Sequence, residues 1–349
     1  MFVKGYLMCE EKVGKATKGQ RRDLGERKII EILHSFLDTM PDMPVPFGDD
    51  VAAVEIGEGQ LAVLKMDMLV DKTDVPSGMS LWQAARKAVV MNVSDFAAKG
   101  VEPKVVLISL GLPRRLTRRN VEEIARGLNA GAREYGAYVI GGDTSEASDL
   151  VISVFLFGIA RRNALMLRGG AKPGDIIAVT GFFGKSAAGL KILLGRCEAQ
   201  REIREILAGS VLTPYARLKE GLVLSDTGAV TASIDSSDGL AWSLHEIAKA
   251  SDVGFLIKKL PVSKEVEKFA EVNGLDALEL ALYGGEEYEL VLTIDPKLWD
   301  SAEKAVRGVG GELLPIGKVT HGKQILFEVD GRRRTVEPRG WEHFKSGKG

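Results

Sequence analysis

Seven aspartates stand at the expected edges of strands or inside an Ala-rich helix, most of them beside Gly, Ser or Ala: Asp49, Asp50, Asp67, Asp95, Asp143, Asp235 and Asp238. Taken singly, each reads as a cap or turn acid. Taken together they would crowd like charges, and crowded carboxylates stay ionised only when cations offset them. Mg²⁺ suits such a set, because it binds a few carboxylates and shares the oxygens of a phosphate. The combination describes a nucleotide phosphoryl-transfer site that has no P-loop. The organising stretch is Val139 to Thr144, where two apolar residues are expected to end a buried strand. Gly141 and Gly142 then strip the backbone, and Asp143 and Thr144 follow at once. A glycine pair lets a ligand approach the main chain closely.

Other chemistries find little support. Thr180 to Ser186 follows an expected strand and opens a helix, but a P-loop needs four residues between Gly and Gly-Lys-Ser/Thr, and that first Gly would fall at Val179. It reads as a helix-start turn. His34, His245, His321 and His343 show no metal spacing, and Cys9 and Cys197 are too few and too scattered for a disulfide framework or a metal cluster. A net charge of -1 argues against nucleic acid or a membrane surface as partner. No apolar run approaches a membrane span and the N-terminus has no signal-peptide core, so the chain reads as cytoplasmic.

The elements that must position the acids follow in order. The 349 residues suggest two domains. Residues 1–23 read as an arm, 24–162 as an N-terminal domain and 163–349 as a C-terminal domain. The N-terminal domain reads ββαβαββ, an α+β layer with helices on one sheet face. A helix is expected over Glu26 to Leu37. A long one runs from an N-cap at Ser80 to Lys99, with Gly100 just beyond, and places Asn92 and Asp95 on one face. The C-terminal domain carries strands at Asp175 to Thr180, Ala229 to Ile234, Gly254 to Ile257, Tyr288 to Ile294, Glu312 to Ile316 and Ile325 to Val329.

The ordered set Gly48-Asp49-Asp50, Asp67, Asn92 to Asp95, Ile140 to Thr144, Lys172 to Asp175, Thr180-Gly181, Ser186 to Leu190, Asp235 to Leu240, Gly284 to Leu290 and Gly340-Trp341 resembles the thiamine-monophosphate kinase family. It also resembles the wider superfamily of aminoimidazole ribonucleotide synthetase. The resemblance covers nearly the whole chain after the arm. It implies a two-domain α+β fold in which the N-terminal sheet pairs across a homodimer into a barrel, with a C-terminal α/β sandwich. It implies ATP and several Mg²⁺ as co-substrate and cofactor, thiamine monophosphate as acceptor, and thiamine diphosphate as product. Carried over by position, Asp49, Asp50, Asp67, Asp95, Asp143, Asp235 and Asp238 would bind metal, with Asp95 and Asp143 catalytic. Gly141, Gly142, Asp143, Arg168 and Ser237 would contact ATP; Asp74, Glu286 and Trp341 would contact the thiamine phosphate.

Two departures stand out. The family pattern has Ser-Thr ahead of the acid at position 67, where this chain has Lys65-Met66, so the Lys65 ammonium is expected to replace the charge of one Mg²⁺. The pattern also has a substrate-touching His where this chain has Asp74, which would meet the acceptor through a metal or through the positive part of thiamine. Two other readings keep parts of this picture: the same ATP site serving another acceptor, as in purine synthesis or hydrogenase maturation, and a non-catalytic nucleotide-binding regulator.

Overall fold

A helix buried on every side organises the molecule. The structure is a computed structural model that describes residues 25–329 and 331–344; the expected arm of residues 1–23 lies outside them. The first helix, α1 (Glu26–His34), ends three residues before Leu37 and buries none of its residues. Then come β1 (Ala52–Gly57), β2 (Gln60–Val70), the single turn α2 (Asp71–Asp74), α3 (Leu81–Lys99), β3 (Pro103–Leu112), α4 (Arg118–Glu134), β4 (Tyr138–Glu146) and β5 (Val151–Arg161). After these lie β6 (Ile176–Val179), α5 (Lys185–Leu193), α6 (Arg201–Leu212), α7 (Leu218–Thr227), β7 (Val230–Asp235), α8 (Leu240–Ser251) and β8 (Gly254–Ile257). The chain continues through α9 (Lys264–Asn273), α10 (Ala277–Tyr283), β9 (Leu290–Ile294), α11 (Trp299–Gly308), β10 (Leu314–Thr320), β11 (Ile325–Val329) and β12 (Arg332–Thr335).

The central helix is α3. Ser80 and Gln83 form a reciprocal capping box at its start, and Gly100 ends it in the left-handed conformation at φ 65°. Its many alanines let neighbours come close. Gly127 of α4 and Gly221 of α7 sit where an added Cβ would lie 2.3 Å from the Trp82 carbonyl and 1.9 Å from the Ala97 carbonyl. A helix wrapped in this way can carry Arg86, Lys87, Asn92, Ser94, Asp95 and Lys99 all buried. Buried polar groups persist only when paired, so these six must find partners.

Two sheets flank it. The five-stranded sheet has the order β1-β2-β5-β3-β4, and the seven-stranded sheet β12-β11-β8-β10-β6-β9-β7. On β9 every residue is buried: Leu290, Leu292 and Ile294 join the core beneath α3, while Val291 joins a second core with α8. Strands buried on both faces read as continuous apolar runs. The five-stranded sheet differs. One face meets α3, and the other leaves Met66, Met68, Leu107 and Ile159 exposed.

The organising strand is not buried. β4 is the edge of its sheet, all nine of its residues are exposed, and Ile140 keeps 62% of its surface open. Apolar side chains alone do not report burial when a strand has a neighbour on one side only and one of its core-facing positions is a glycine. That position is Gly142, which pairs with Ile108 and lies 1.8 Å, measured from an added Cβ, from the Ile108 carbonyl. Gly142→Ala is therefore expected to cost more than about 2 kcal/mol, whereas Gly141→Ala, whose Cβ would meet only Leu107 Cδ2 at 3.5 Å, should cost under about 1 kcal/mol. Urea melts of the two variants check this; equal losses contradict it.

Candidate functional site

β2 alternates its side chains, so Lys65 and Asp67 share the face that meets α3. There Asn92 and Asp95, three residues apart, look out from one side of the helix. The Asn92 side chain accepts the Asp67 backbone N–H at 2.9 Å and donates to the Ala88 carbonyl at 3.0 Å. One residue before Asp95, the Ser94 hydroxyl donates to Asp235 Oδ2 at 2.6 Å, which ties α3 to the end of β7. The loop before β1 adds Asp50. Asp50, Asp95 and Asp235 are buried, and each offers a carboxylate oxygen within 4.8 Å of the other two.

Three fixed cations hold this group. Lys99 is fully buried, lies 2.7 Å from both Asp49 Oδ1 and Asp50 Oδ2, and donates to the Ser233 carbonyl at 2.8 Å. Arg168 places Nε 2.8 Å from Asp50 Oδ1 and donates to the Gly48 carbonyl at 2.7 Å, while its backbone N–H reaches Asp49 at 2.9 Å. Lys65 Nζ lies 3.0 Å from Asp95 and 3.3 Å from Asp67.

The acids respond unequally. Burial works to raise the Asp50 pKa, but Lys99 and Arg168 outweigh it and hold the group below the ordinary carboxylate range. Burial pushes Asp95 well up; Lys65 opposes this and Asp235 adds to it. Asp235 rises to about 7, from burial first and the Asp50 charge second, with the Ser94 hydrogen bond opposing. Two members of the triad therefore carry more negative charge, when ionised, than the local cations offset. The donors are all oxygen, which suits a hard divalent cation.

A second sector adjoins it through the Asp235–Asp238 loop. Glu286 N–H donates to the Ser237 carbonyl at 2.6 Å, Tyr288 N–H to Ser236 at 3.0 Å and Trp341 N–H to Asp238 at 3.0 Å. Glu286 and Tyr288 both take left-handed backbone, at φ 63° and 55°, a conformation uncommon outside Gly, Asn and Asp. The Glu286 carboxylate pairs at 2.5 Å with Lys87 Nζ, which also donates to the Asp74 carbonyl at 3.0 Å. The Asp74 carboxylate accepts the Val70 N–H at 2.7 Å. The start of α5 is satisfied internally: Glu287 accepts Gly184 N–H at 2.7 Å, Ser186 N–H at 3.0 Å and the Ser186 hydroxyl at 2.8 Å.

The sequence candidates thus fall into three places. Asp50, Asp67, Asp95 and Asp235 gather about one point, with Asp49 and Arg168 beneath as a clamp. Ser237, Asp238, Glu286, Trp341 and Asp74 belong to the second sector. Asp143 stands apart: it pairs laterally with Ser109, whose row runs through Ser153 to Met68, the sheet face away from α3, and it is exposed. Gly141 and Gly142 lie on the same edge strand. Lys87 and Lys99 were missed. Their only signal was a cation inside a helix rich in alanine and valine.

Residues 48–160 match the AIR synthase related protein, N-terminal domain, and residues 172–330 match its C-terminal domain. Thiamine-monophosphate kinase of Nitrosopumilus maritimus (strain SCM1) is 39% identical over 322 residues, 92% of this chain and 99% of that protein. The protein of the same name from Pyrococcus horikoshii is 36% identical over 319 residues, 91% of this chain and 96% of that one. The chain belongs to the thiamine-monophosphate kinase family. Among solved structures, AaThiL complexed with AMPPCP and TMP matches at a TM-score of 0.81 and 32% identity, over 94% of this chain and 100% of that one. The two-domain fold of the family is thereby shown. Among the described residues no helix is long and apolar enough to cross a membrane.

The raised Asp235 acid has a measurable consequence. Its pKa is about 7 in the folded chain against about 3.9 unfolded, so the folded state holds the extra proton and stability falls as pH rises between these values. Asp235→Asn removes that loss. In EDTA, the variant's stability relative to the parent is expected to improve by about 2–4 kcal/mol between pH 4 and pH 8. Urea midpoints across this range check it; a gap that does not change with pH contradicts it.

Proposed function

We propose that the protein transfers the γ-phosphoryl group of ATP to the phosphate of thiamine monophosphate, releasing ADP and thiamine diphosphate. The observation that carries this reading is the buried triad Asp50, Asp95 and Asp235, in a chain whose family relatives bear the name of that kinase and whose structural neighbour holds AMPPCP and TMP. The donor set fits Mg²⁺, which Asp95 and Asp235, with Asp50 and Asp67 at the margin, would hold. When bound, the metal neutralises charge on the phosphates.

The remaining work is positioning. A phosphate monoester has its second pKa near 6, so the acceptor oxygen is already anionic at neutral pH and no general base is needed. Direct in-line transfer follows, without a covalent enzyme intermediate. Asn92 and Ser94 fix the orientation of the Asp67 and Asp235 segments. Lys99 and Arg168 keep the Asp49-Asp50 loop in place beneath them. Lys87 holds Glu286 toward the second sector, where the half-exposed Trp341 ring offers a face to a cationic thiazolium. The open sheet face with Met66, Met68 and Leu107 is the surface on which a second copy would pair, and Asp143 and Gly141 would reach the nucleotide from that side. The division at 162/163 then separates the dimerising N-terminal domain from the C-terminal domain.

The test is ADP release with and without thiamine monophosphate. Release that depends on this acceptor, and falls by about 100-fold or more in Asp95→Asn with secondary structure intact, is the expected result. Release indifferent to the acceptor would favour another acceptor, and none at all a nucleotide-binding regulator.

A further inference from the structure

The acidic site already holds a cation of its own. Lys65 Nζ sits 3.0 Å from Asp95 and 3.3 Å from Asp67, and its side chain keeps only 16% of its surface exposed. We propose that the Lys65 ammonium permanently occupies the Asp67–Asp95 edge of the site, so that this enzyme binds one divalent ion fewer there than its carboxylates could hold. The inference rests on the reading that the triad binds divalent metal.

Charge and geometry lead to it together. Of the carboxylates gathered here, Asp67, Asp95 and Asp235 face one fixed cation, Lys65. Two negative charges are left over, the charge of one divalent ion. Lys99 and Arg168 are taken up by Asp49 and Asp50, by Glu246 at 3.7 Å from Arg168, and by the backbone carbonyls of Ser233 and Gly48. Among the described residues Lys65 alone pairs with the Asp67 and Asp95 oxygens. Asp67 cannot readily withdraw, because its backbone is held by Asn92. Nor does β2 leave Lys65 much freedom: its strand neighbours Leu64 and Met66 pair with Phe157 and Phe155 of β5, and the alternation of the strand turns position 65 inward. An ammonium delivers its charge through single hydrogen bonds and cannot chelate a phosphate as a metal does. Its effect is therefore to settle repulsion between Asp67 and Asp95 without taking a place in the phosphate's coordination.

The experiment counts metal. Mn²⁺ is titrated into the full chain at pH 8 with a saturating non-hydrolysable ATP analogue, and bound ion per chain is read by electron paramagnetic resonance. The parent, Lys65→Met and Lys65→Arg are compared, each first shown to melt cooperatively. Lys65→Met is expected to bind one more Mn²⁺ per chain than the parent, and Lys65→Arg the same number as the parent. Equal counts in the parent and Lys65→Met overturn the inference while leaving the metal-binding reading intact. No bound Mn²⁺ in any of the three overturns both. Should Lys65→Met fail to fold, anomalous diffraction from parent crystals with Mn²⁺ and the analogue decides: density bridging Asp67 and Asp95 with Lys65 swung aside overturns it, and Lys65 in place without such density supports it.

Discussion

The buried ammonium of Lys99 is the interaction on which the rest depends. It lies at the last position of a helix enclosed on all sides, and within 2.7 Å it meets two carboxylates of the loop before β1. Its third partner, the Ser233 carbonyl, belongs to the seven-stranded sheet. One side chain thus joins the central helix, the Asp49-Asp50 loop and the second sheet. A buried charge stripped of its partner costs about 3–5 kcal/mol, so each of the three holds the others in register. Arg168 repeats the clamp from the chain between the sheets. What emerges above is a set of acids whose positions are fixed before any ligand arrives, which is the condition under which electrostatic preorganisation is effective.

Fixing the acids has its own consequence. Asp50 is satisfied, but Asp95 and Asp235 are not, and burial pushes both toward the protonated form. The fold therefore holds a charge deficit of a definite sign in one place. A phosphate alone would worsen it. A divalent cation carrying a phosphate relieves it, and the neighbouring sector formed by Glu286, Trp341 and the Asp235–Asp238 loop supplies the place for a second substrate.

Much of this was legible in the residues. Ser80, Gln83 and Gly100 mark both ends of α3, and the spacing of Asn92 and Asp95 puts them on one face, because capping and helical periodicity are local. The strand at Gly254–Ile257 and the ββαβαββ order follow from apolar periodicity for the same reason. The burial of β4 was not legible, since Val139 and Ile140 look alike at an edge and in a core. Nor was the place of Asp143, which depends on which face of a sheet residue 143 occupies after a register shift near Val106. Lys87 and Lys99 were hidden for another reason: their partners, Glu286 and Asp49, lie far away in the chain. Helices α9, α10 and α11 and strand β12 carry no candidate acid, and no motif in the sequence marks them.

Proton release on Mg²⁺ binding tests the account most directly. Titration calorimetry at pH 6.5, repeated in buffers of different ionisation enthalpy, counts the protons displaced when the metal enters. With Asp235 near 7 and Asp95 also held well above the ordinary carboxylate range by burial, the account predicts release of about one proton or more, lost in the Asp235→Asn, Asp95→Asn double variant together with tight binding. Mg²⁺ binding that displaces no proton, or that survives the double variant unchanged, would contradict it.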